Sequence, residues 1–540
     1  MSGNNSRLVQ GSGRHKHNRH NKHNKVVSNN SHLVQGSKKL QRVHIELQRV
    51  QTWLFSVPRL RAMVGANTLI GETLRINLPN LARNGDNKWA LAPLIGDYPP
   101  ADQSDPLKDE DNPQTDAVAG ILARDGGHFE AQFAHGAEAF ADAAAELLRR
   151  ELPGLRFRIS INREERQKAQ IYLSTELPVL APCQWTGRGL AAKVIWQGNE
   201  YATVSLDVAR RHEAAKRAEE YRSRDLASML GKTLGLDKLQ SAQDLHDLVG
   251  SGYLALIHAD GNSVGSNAGT TEEQRARFFH QNRVLIRRAL QQAIGTVHKD
   301  ETGINPLVML MLGGDDLLVV CRAEKALPFV VSLCDELKRL QDAHADGFQL
   351  TLGVGVVIAK PTIPMHRLHE VAEQLASSAK RRFRGLRASE QEARSVVDWA
   401  VYTTAWVDEP EAVRRRDWIR GTAQNQRLLS QRPLDVLGEG LDSLQGLVCG
   451  TKMLKGAPRS QLRYLVEQLP RGRTLAELAF EELSKEASDK LRDAGVSLVW
   501  QDLPDGSASI TPLLDLVEVV EIDQLGRRNN KQPTESPGGR

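Results

Sequence analysis

Two aspartates, Asp315 and Asp316, follow a glycine pair, Gly313-Gly314, between the apolar runs Leu307–Leu312 and Leu317–Cys321. Short apolar runs bounded by Gly and Asp predict two strands joined by a tight hairpin, and the glycines can take the positive φ such a turn needs. Adjacent carboxylates at a sheet edge repel unless a proton or a cation intervenes. A third carboxylate, Asp260, follows another apolar run, Gly252–Ala259, in the stretch His258-Ala-Asp260-Gly261-Asn262-Ser-Val-Gly265. If that strand lies beside the first strand of the hairpin, Asp260, Asp315 and Asp316 gather at one sheet end. They are the candidate catalytic and metal-binding residues, suited to Mg²⁺ or Mn²⁺ and a nucleoside triphosphate. The backbone at Gly261, Asn262, Gly265, Gly313 and Gly314 could cradle phosphates, and the cation Lys380 could steady them. Plainer readings stand beside these. Gly and Asp are ordinary turn residues, and Lys380, with Arg381 and Arg382, fits a solvated basic face.

The elements around these residues repeat. Val43–Leu47 alternates as a strand, Arg59–Leu74 has helical spacing, and Ala119–Ala123 and Phe129–Phe133 flank the turn Asp125-Gly-Gly-His128. An Ala-rich helix over Gly136–Leu152 is stopped by Pro153-Gly154, and Arg156–Ile161 is a strand. The order strand, helix, hairpin, helix, strand is a split βαβ, ferredoxin-like pattern. It recurs as Gly252–Ala259, a helix over Thr271–Ile294 with Thr270 or Thr271 as its cap, the Gly-Gly-Asp-Asp hairpin, a helix over Ala326–Gln341 and a strand over Gln349–Ala359. A further helix covers His366–Arg382. The fold class expected is α+β: two ferredoxin-like palm domains, a helical linker region and a C-terminal helical domain. The expected boundaries are a first palm-like domain at 41–165, a linker at 166–250, the second palm at 251–408, the helical domain at 409–522 and a disordered tail at 523–540.

Composition narrows the classes. At 540 residues, 40% hydrophobic and 25% charged, the chain can bury several cores. No apolar run approaches the roughly 18–20 residues of a membrane span, and no secretory signal is legible. Four dispersed cysteines, Cys183, Cys321, Cys334 and Cys449, predict a reducing, cytoplasmic setting rather than a disulfide framework. The net charge of +5 invites a nucleic-acid reading, but eight Lys and Arg and no acid fall within residues 1–40, leaving −3 for the body. Those residues contain the imperfect duplication Asn4–Ser12 and Asn29–Ser37 around a His/Asn/Lys/Arg tract. They predict a disordered basic tail, read as a basic arm, a His-rich metal tract or a dispensable leader.

The set ADGNSVG, LGGDDLLVV, TLGVGVVIAKPTIPMHRL and AEQLASSAK resembles the second palm domain of the large polymerase-like subunit of type III CRISPR effector complexes, whose palm is related to GGDEF-type cyclases. VQTWLFSVPRLRAMVGANTLIGETLR and DGGHFEAQF resemble that subunit's first palm, and SQRPLDVL and APRSQLRYLVEQL its C-terminal helical domain. The resemblance implies ATP as substrate, a divalent metal, cyclic oligoadenylate as product, and CRISPR RNA, target RNA and other effector subunits as partners. It assigns metal binding to Asp315 and Asp316, with Asp260. The first palm has Gly127-His128 where the second has Gly314-Asp315, so it is read as a pocket wall or scaffold. Cys183 resembles the start of the family's zinc ribbon without a second cysteine nearby, which argues against a closed zinc site. The family's N-terminal HD nuclease domain is not recognised, and His246-Asp247, between the palms, is read as incidental. Three functions remain open: an oligoadenylate-forming nucleotidyltransferase, a non-catalytic scaffold of a CRISPR ribonucleoprotein, and a diguanylate-cyclase-like enzyme. Leu317-Leu318 after the turn, in place of Glu-Phe, disfavours the last.

Overall fold

The computed structural model describes residues 40–525 except 94–101, 109–115, 117, 169–180, 198–199, 222–229, 231–238, 265–270, 299–302, 344–349, 389–392, 404–408, 423–424 and 505. The expected basic tail, but for Leu40, and residues 526–540 lie outside the described residues. So do most of the loop read over Asp97–Gln114 and much of the charged helical region beyond Tyr221.

Strand β1 (Gln41–Gln48) buries Val43, Ile45 and Leu47 on one face. Helix α1 (Leu60–Glu72), β2 (His128–His135), α2 (Ala137–Glu151), β3 (Arg156–Ile161) and β4 (Glu164–Lys168) follow. In the sheet β1 lies between β2 and β3, antiparallel to both, with the short strands Ala90–Leu91 and Ile121–Ala123 on β2 and with β4 on β3. This is the split βαβ order expected, and the sheet continues to Lys168, beyond the expected boundary at 165. One face packs on α1 and α2 through Ile45, Phe129, Phe133, Met63 and Phe140. The other carries polar pairs, Glu46 with Arg158 and Arg42 with Glu130. That division explains why these strands alternate in sequence.

The linker holds a hairpin, β5 (Lys193–Gln197) and β6 (Glu200–Val204), and helix α3 (Leu206–Tyr221). Sequence patterning did not predict the hairpin, whose Val194, Trp196 and Tyr201 are exposed. Helix α3 crosses α1 closely at Gly65, where a Cβ would fall 1.7 Å from the Arg211 carbonyl oxygen. Cys183 is buried beside Val57, Ile195 and Val204. In the short helix Leu245–Val249, Asp244 accepts a hydrogen bond from the Asp247 amide, and Asp247 accepts one from the Gln243 amide. The aspartate of the His246-Asp247 pair therefore serves helix capping.

The second sheet is built from β7 (Leu254–Gly261), α4 (Glu272–His298), β8 (Leu307–Gly313), β9 (Asp316–Arg322), α5 (Ala323–Asp342), β10 (Leu352–Ala359), α6 (Met365–Ala388) and β11 (Val396–Tyr402). Its order is β8-β9-β7-β10-β11, with Leu434–Asp435 on the outer edge. Thr271 and Gln274 open α4 with a capping box: each side chain accepts from the other's backbone amide, both at 3.2 Å. Ala255, Ile257, Val319 and Val356 pack with α4 and α5. Leu254, Leu256, Leu318 and Val320 share the first palm's core with Leu60, Met63, Met365 and Leu368. Cover on both faces is why these strands read as unbroken apolar runs.

Two features extend past the expectation. Strand β11 pairs parallel with β10 after the crossover α6, and Leu434–Asp435 adds to this sheet from beyond the expected boundary at 408. The C-terminal region has the expected helices, Leu444–Met453, Arg459–Gln468, Arg473–Glu481, Lys485–Asp493 and Leu513–Leu525. It also contains a four-stranded sheet of Ile419–Thr422, Asn425–Leu428, Ala508–Ile510 and Gln501–Asp502. Those strands are short and polar, so no alternation announced them. The last helix reaches Leu525, which corrects the disordered tail expected from 523.

Candidate active site

Strand β9 begins at Asp316 and pairs back on β8, Gly313 opposite Asp316, so Gly314 and Asp315 are the two turn residues. Gly314 has φ of 66°, and glycine with positive φ at the first turn position is the requirement of a II′ hairpin. The neighbour of β7 is the return strand β9, with Leu317 opposite Ala259, and not β8 as the sequence reading had it. In the split βαβ order the first strand is flanked by the third and fourth, which places Asp316 and Asp260 at the same end of adjacent strands.

The three carboxylates reach that end but face different partners. Asp315 lies over the β7 terminus: a Cβ on Gly261 would fall 2.5 Å from its Oδ2. Burial, then the negative charge of Asp260 and, more weakly, of Asp316, push the Asp315 carboxyl up to about 6. Asp260 is ion-paired with Lys380 of α6. Asp316 Oδ1 is 3.1 Å from His258 Nε2. Burial disfavours charge on His258, but the Asp316 hydrogen bond and the charges of Asp316, Asp260 and Glu373 outweigh it and raise its pKa. Burial, followed by the adjacent His258, holds the His369 imidazole down to about 4.

Glycines make room for this. Asp260 is opposite Gly353 in the β7–β10 register, and a Cβ on Gly353 would fall 2.6 Å from Lys380 Cγ. The Lys380 stem thus crosses the strand at the one residue type with no side chain. At Gly355 a Cβ would lie 2.1 Å from the Ala372 carbonyl oxygen, so α6 sits directly on β10.

The remaining expected residues are more committed than the sequence suggested. Gly261 is paired in the strand with Leu352. Asn262 is buried, its amide donating to the Thr351 carbonyl at 2.8 Å and its Nδ2 to Thr351 Oγ1 at 3.1 Å. That amide is therefore not free to cradle a phosphate. Gly265 lies outside the described residues. Lys380, read from sequence as a phosphate ligand or a solvated charge, is ion-paired with Asp260.

The first palm meets this edge. Gly126 and Gly127 both have positive φ, and the His128 amide bonds to the Asp125 carbonyl at 3.0 Å, closing a tight turn. A Cβ on Gly313 would fall 3.1 Å from the Gly126 Cα. Beside the two glycine turns is a cavity of about 180 Å³, lined in part by Arg49, Asn67, Arg75, Asp125, Met311 and Asp316. Arg75 pairs with Asp125 at 3.0 Å. His128, the counterpart of Asp315, is stacked on His44 at 5.2 Å between centroids. A second cavity, about 300 Å³, lies by Trp399, Trp418 and Glu518 and contains none of the three aspartates.

Sequence reasoning passed over His258, His369 and Thr351. His258 stood in the quoted motif, and His369 and Glu373 have the i, i+4 spacing of one helix face, but no local pattern shows that β7 and α6 are in contact.

The raised Asp315 pKa has a testable sign. The folded state holds the proton up to about 6, whereas the unfolded chain releases it near the ordinary 3.8. The stability linked to that proton is complete below the unfolded value and is lost as pH rises through the folded value. Without divalent cations, Asp315→Asn should raise the melting temperature at about pH 7.5 and leave it unchanged at about pH 3. A lower melting temperature at the higher pH would show that the ionised carboxylate is stabilising.

Among the described residues no helix is long and apolar enough to cross a membrane. Residues 253–386 match the family model for the Cas10/Cmr2 second palm domain. No curated protein sequence matches the chain. Solved structures that it resembles include a Csm1–Csm4 cassette in complex with pppApApA, at 14% identity over 90% of this chain and 69% of that one, TM-score 0.43. A Csm1–Csm4 cassette in complex with cA4 has 14% identity over 90% and 70%, TM-score 0.39. Csm1 in T. onnurineus has 15% identity over 90% and 70%, TM-score 0.37. With its split βαβ sheet and Gly-Gly-Asp-Asp hairpin inside the matched segment, the chain resembles the large palm-bearing subunit of type III CRISPR effector complexes through a second palm domain of the Cas10/Cmr2 type.

Proposed function

We propose that the chain is a metal-dependent nucleotidyltransferase that converts ATP into cyclic or linear oligoadenylate in a type III CRISPR-like antiviral system. The observation that carries this reading is the arrangement of Asp260, Asp315 and Asp316 at one end of adjacent strands within the segment matched to the Cas10/Cmr2 second palm. Burial, with repulsion from Asp260 and Asp316, keeps Asp315 protonated up to about 6, which suits a site completed by a cation. All-oxygen ligands suit Mg²⁺ or Mn²⁺. Asp315 and Asp316, with Asp260, would hold such an ion. When bound, it would neutralise charge developing on a triphosphate during attack by a 3′-hydroxyl.

The chain's own residues do the rest. Lys380, held at the edge by Asp260, can turn its ammonium to a phosphate oxygen once Asp260 is otherwise neutralised. His258 orients Asp316 by its 3.1 Å contact. Thr351 fixes Asn262 and with it the end of β7. The cavity of about 180 Å³ beside the hairpin is smaller than the roughly 300 Å³ of most ligand pockets, so it would take only part of a nucleotide. Partners in this reading are ATP, CRISPR RNA, target RNA and other type III effector subunits.

One observation favours a second reading, a non-catalytic scaffold of a CRISPR ribonucleoprotein. Asp260 and Asp316 are already satisfied by Lys380 and His258. The deciding experiment supplies ATP or GTP with Mg²⁺ or Mn²⁺ to the chain, alone and in its native complex with RNA, and identifies products by mass spectrometry. Oligoadenylate from ATP is the expected result. No product in the native complex would leave the scaffold, and product from GTP alone would favour a diguanylate-cyclase-like enzyme.

A further inference from the structure

We infer that His258, His369 and Glu373 form a second metal site, distinct from the aspartate edge and suited to a transition metal of the Zn²⁺ or Co²⁺ class. His258 lies on β7 and His369 and Glu373 on α6, and one ligand atom of each lies within 4.8 Å of the other two. Glu373 follows His369 by four residues, so one helix face presents both. His369 Nδ1 is 3.9 Å from Glu373 Oε2. The two imidazoles face each other across the β7–α6 interface at 5.5 Å between centroids.

A second observation points to a ligand. The side chains of His258 and His369 are more than nine-tenths buried, and each keeps one buried ring nitrogen without a hydrogen-bond partner, Nδ1 of His258 and Nε2 of His369. Buried nitrogens of this kind are normally satisfied, and a metal ion is the partner that two neutral imidazoles and a carboxylate can share. The Glu373 side chain is 49% exposed, which gives an approach from solvent and freedom to close. Bond lengths of about 2.0–2.2 Å would draw the ligand atoms together by roughly an ångström. Three protein ligands leave a position open. Two imidazoles disfavour Mg²⁺, which takes oxygen.

The outer partner is also present. His258 Nε2 contacts Asp316, the carboxylate–histidine arrangement that fixes ring orientation and raises ligand basicity. An ion on Nδ1 of that ring would stiffen the same residue that positions Asp316. The site stands on its own geometry and does not depend on the nucleotidyltransferase reading.

The test is a Co²⁺ titration of the chelator-stripped full chain in excess Mg²⁺, followed by visible absorption, with Zn²⁺ as displacer. The expected result is one equivalent with the d–d bands of a nitrogen- and oxygen-ligated ion. Glu373→Gln and His369→Ala should each weaken it by about tenfold or more, while Asp260→Asn with Asp315→Asn retains it. Glu373 is half-exposed on its helix, so its Gln variant tests the site even if His369→Ala unfolds. Failure of the full chain to bind Co²⁺, or equal binding by Glu373→Gln, overturns the proposal. Loss of binding only in the aspartate variant would assign the ion to the hairpin edge and also overturn it. ATP turnover is not read, so this outcome is separate from that of the proposed function.

Discussion

Replacing Asp315 and Asp316 together by Ala should lower oligoadenylate formation from ATP by about 10³-fold or more, because preorganised charge at a water-poor site is usually the largest single catalytic contribution. The two residues sit where substitution leaves the hairpin itself intact. Asp315 is a turn residue and Asp316 the first residue of β9. Glycine followed by Ala still satisfies the hairpin, since Gly314 alone carries the positive φ. Removing Asp315 also removes a carboxyl whose pKa is raised by burial and by repulsion from Asp260 and Asp316. The double variant should therefore stay folded, losing only what the Asp316–His258 hydrogen bond contributes, while losing product in a quenched ATP assay analysed by mass spectrometry. A variant that kept parental turnover would place the chemistry elsewhere in the chain.

The largest effect on stability is expected at Arg432. Its side chain is fully buried between the rings of Trp399 and Trp418, at 4.4 and 4.2 Å from their centroids. It pairs with Asp515 at 2.9 Å and Glu518 at 2.6 Å, and donates to the Trp399 carbonyl at 3.0 Å. One side chain thus ties β11 of the second palm to the last helix. Arg432→Ala leaves Asp515 buried without its cation, and breaking a buried pair from one side costs about 3–5 kcal/mol. Chemical denaturation should show that loss. Adding Asp515→Leu should recover part of it, because one of the two carboxylates left without a cation is then gone while Glu518 remains. Additive destabilisation by the two changes would mean that the pair itself contributes little.

Much of the palm was legible because its strands and helices obey local rules. The second-palm runs are apolar throughout, which marks a sheet covered on both faces. Thr271 announces the start of α4, and Gly313-Gly314-Asp315 announces a hairpin. Strand β11 was not legible, because its parallel partner lies across a whole helix. The C-terminal sheet was missed for another reason. Segments such as Asn425–Leu428 are held by backbone hydrogen bonds and have no apolar period to read. Lys380 was singled out as a cation, but its stem crossing Gly353 to reach Asp260 depends on strand register.

By itself the sequence determined the chemistry on offer: three carboxylates, a glycine hairpin, a late lysine and two copies of one split βαβ pattern. It also confined the basic excess to residues 1–40, leaving a slightly acidic body. Tertiary structure decided how those groups are paired. Return strand β9, not β8, lies beside β7, Asp260 is claimed by Lys380, and Asp316 by His258. It also brought His258 to His369 and Glu373, and Gly126 of the first palm to Gly313 of the second. The physical reason is that side-chain type and local period are set by neighbours along the chain. Charge neutralisation and ligation act over a few ångströms between elements whose adjacency only sheet order and helix packing create.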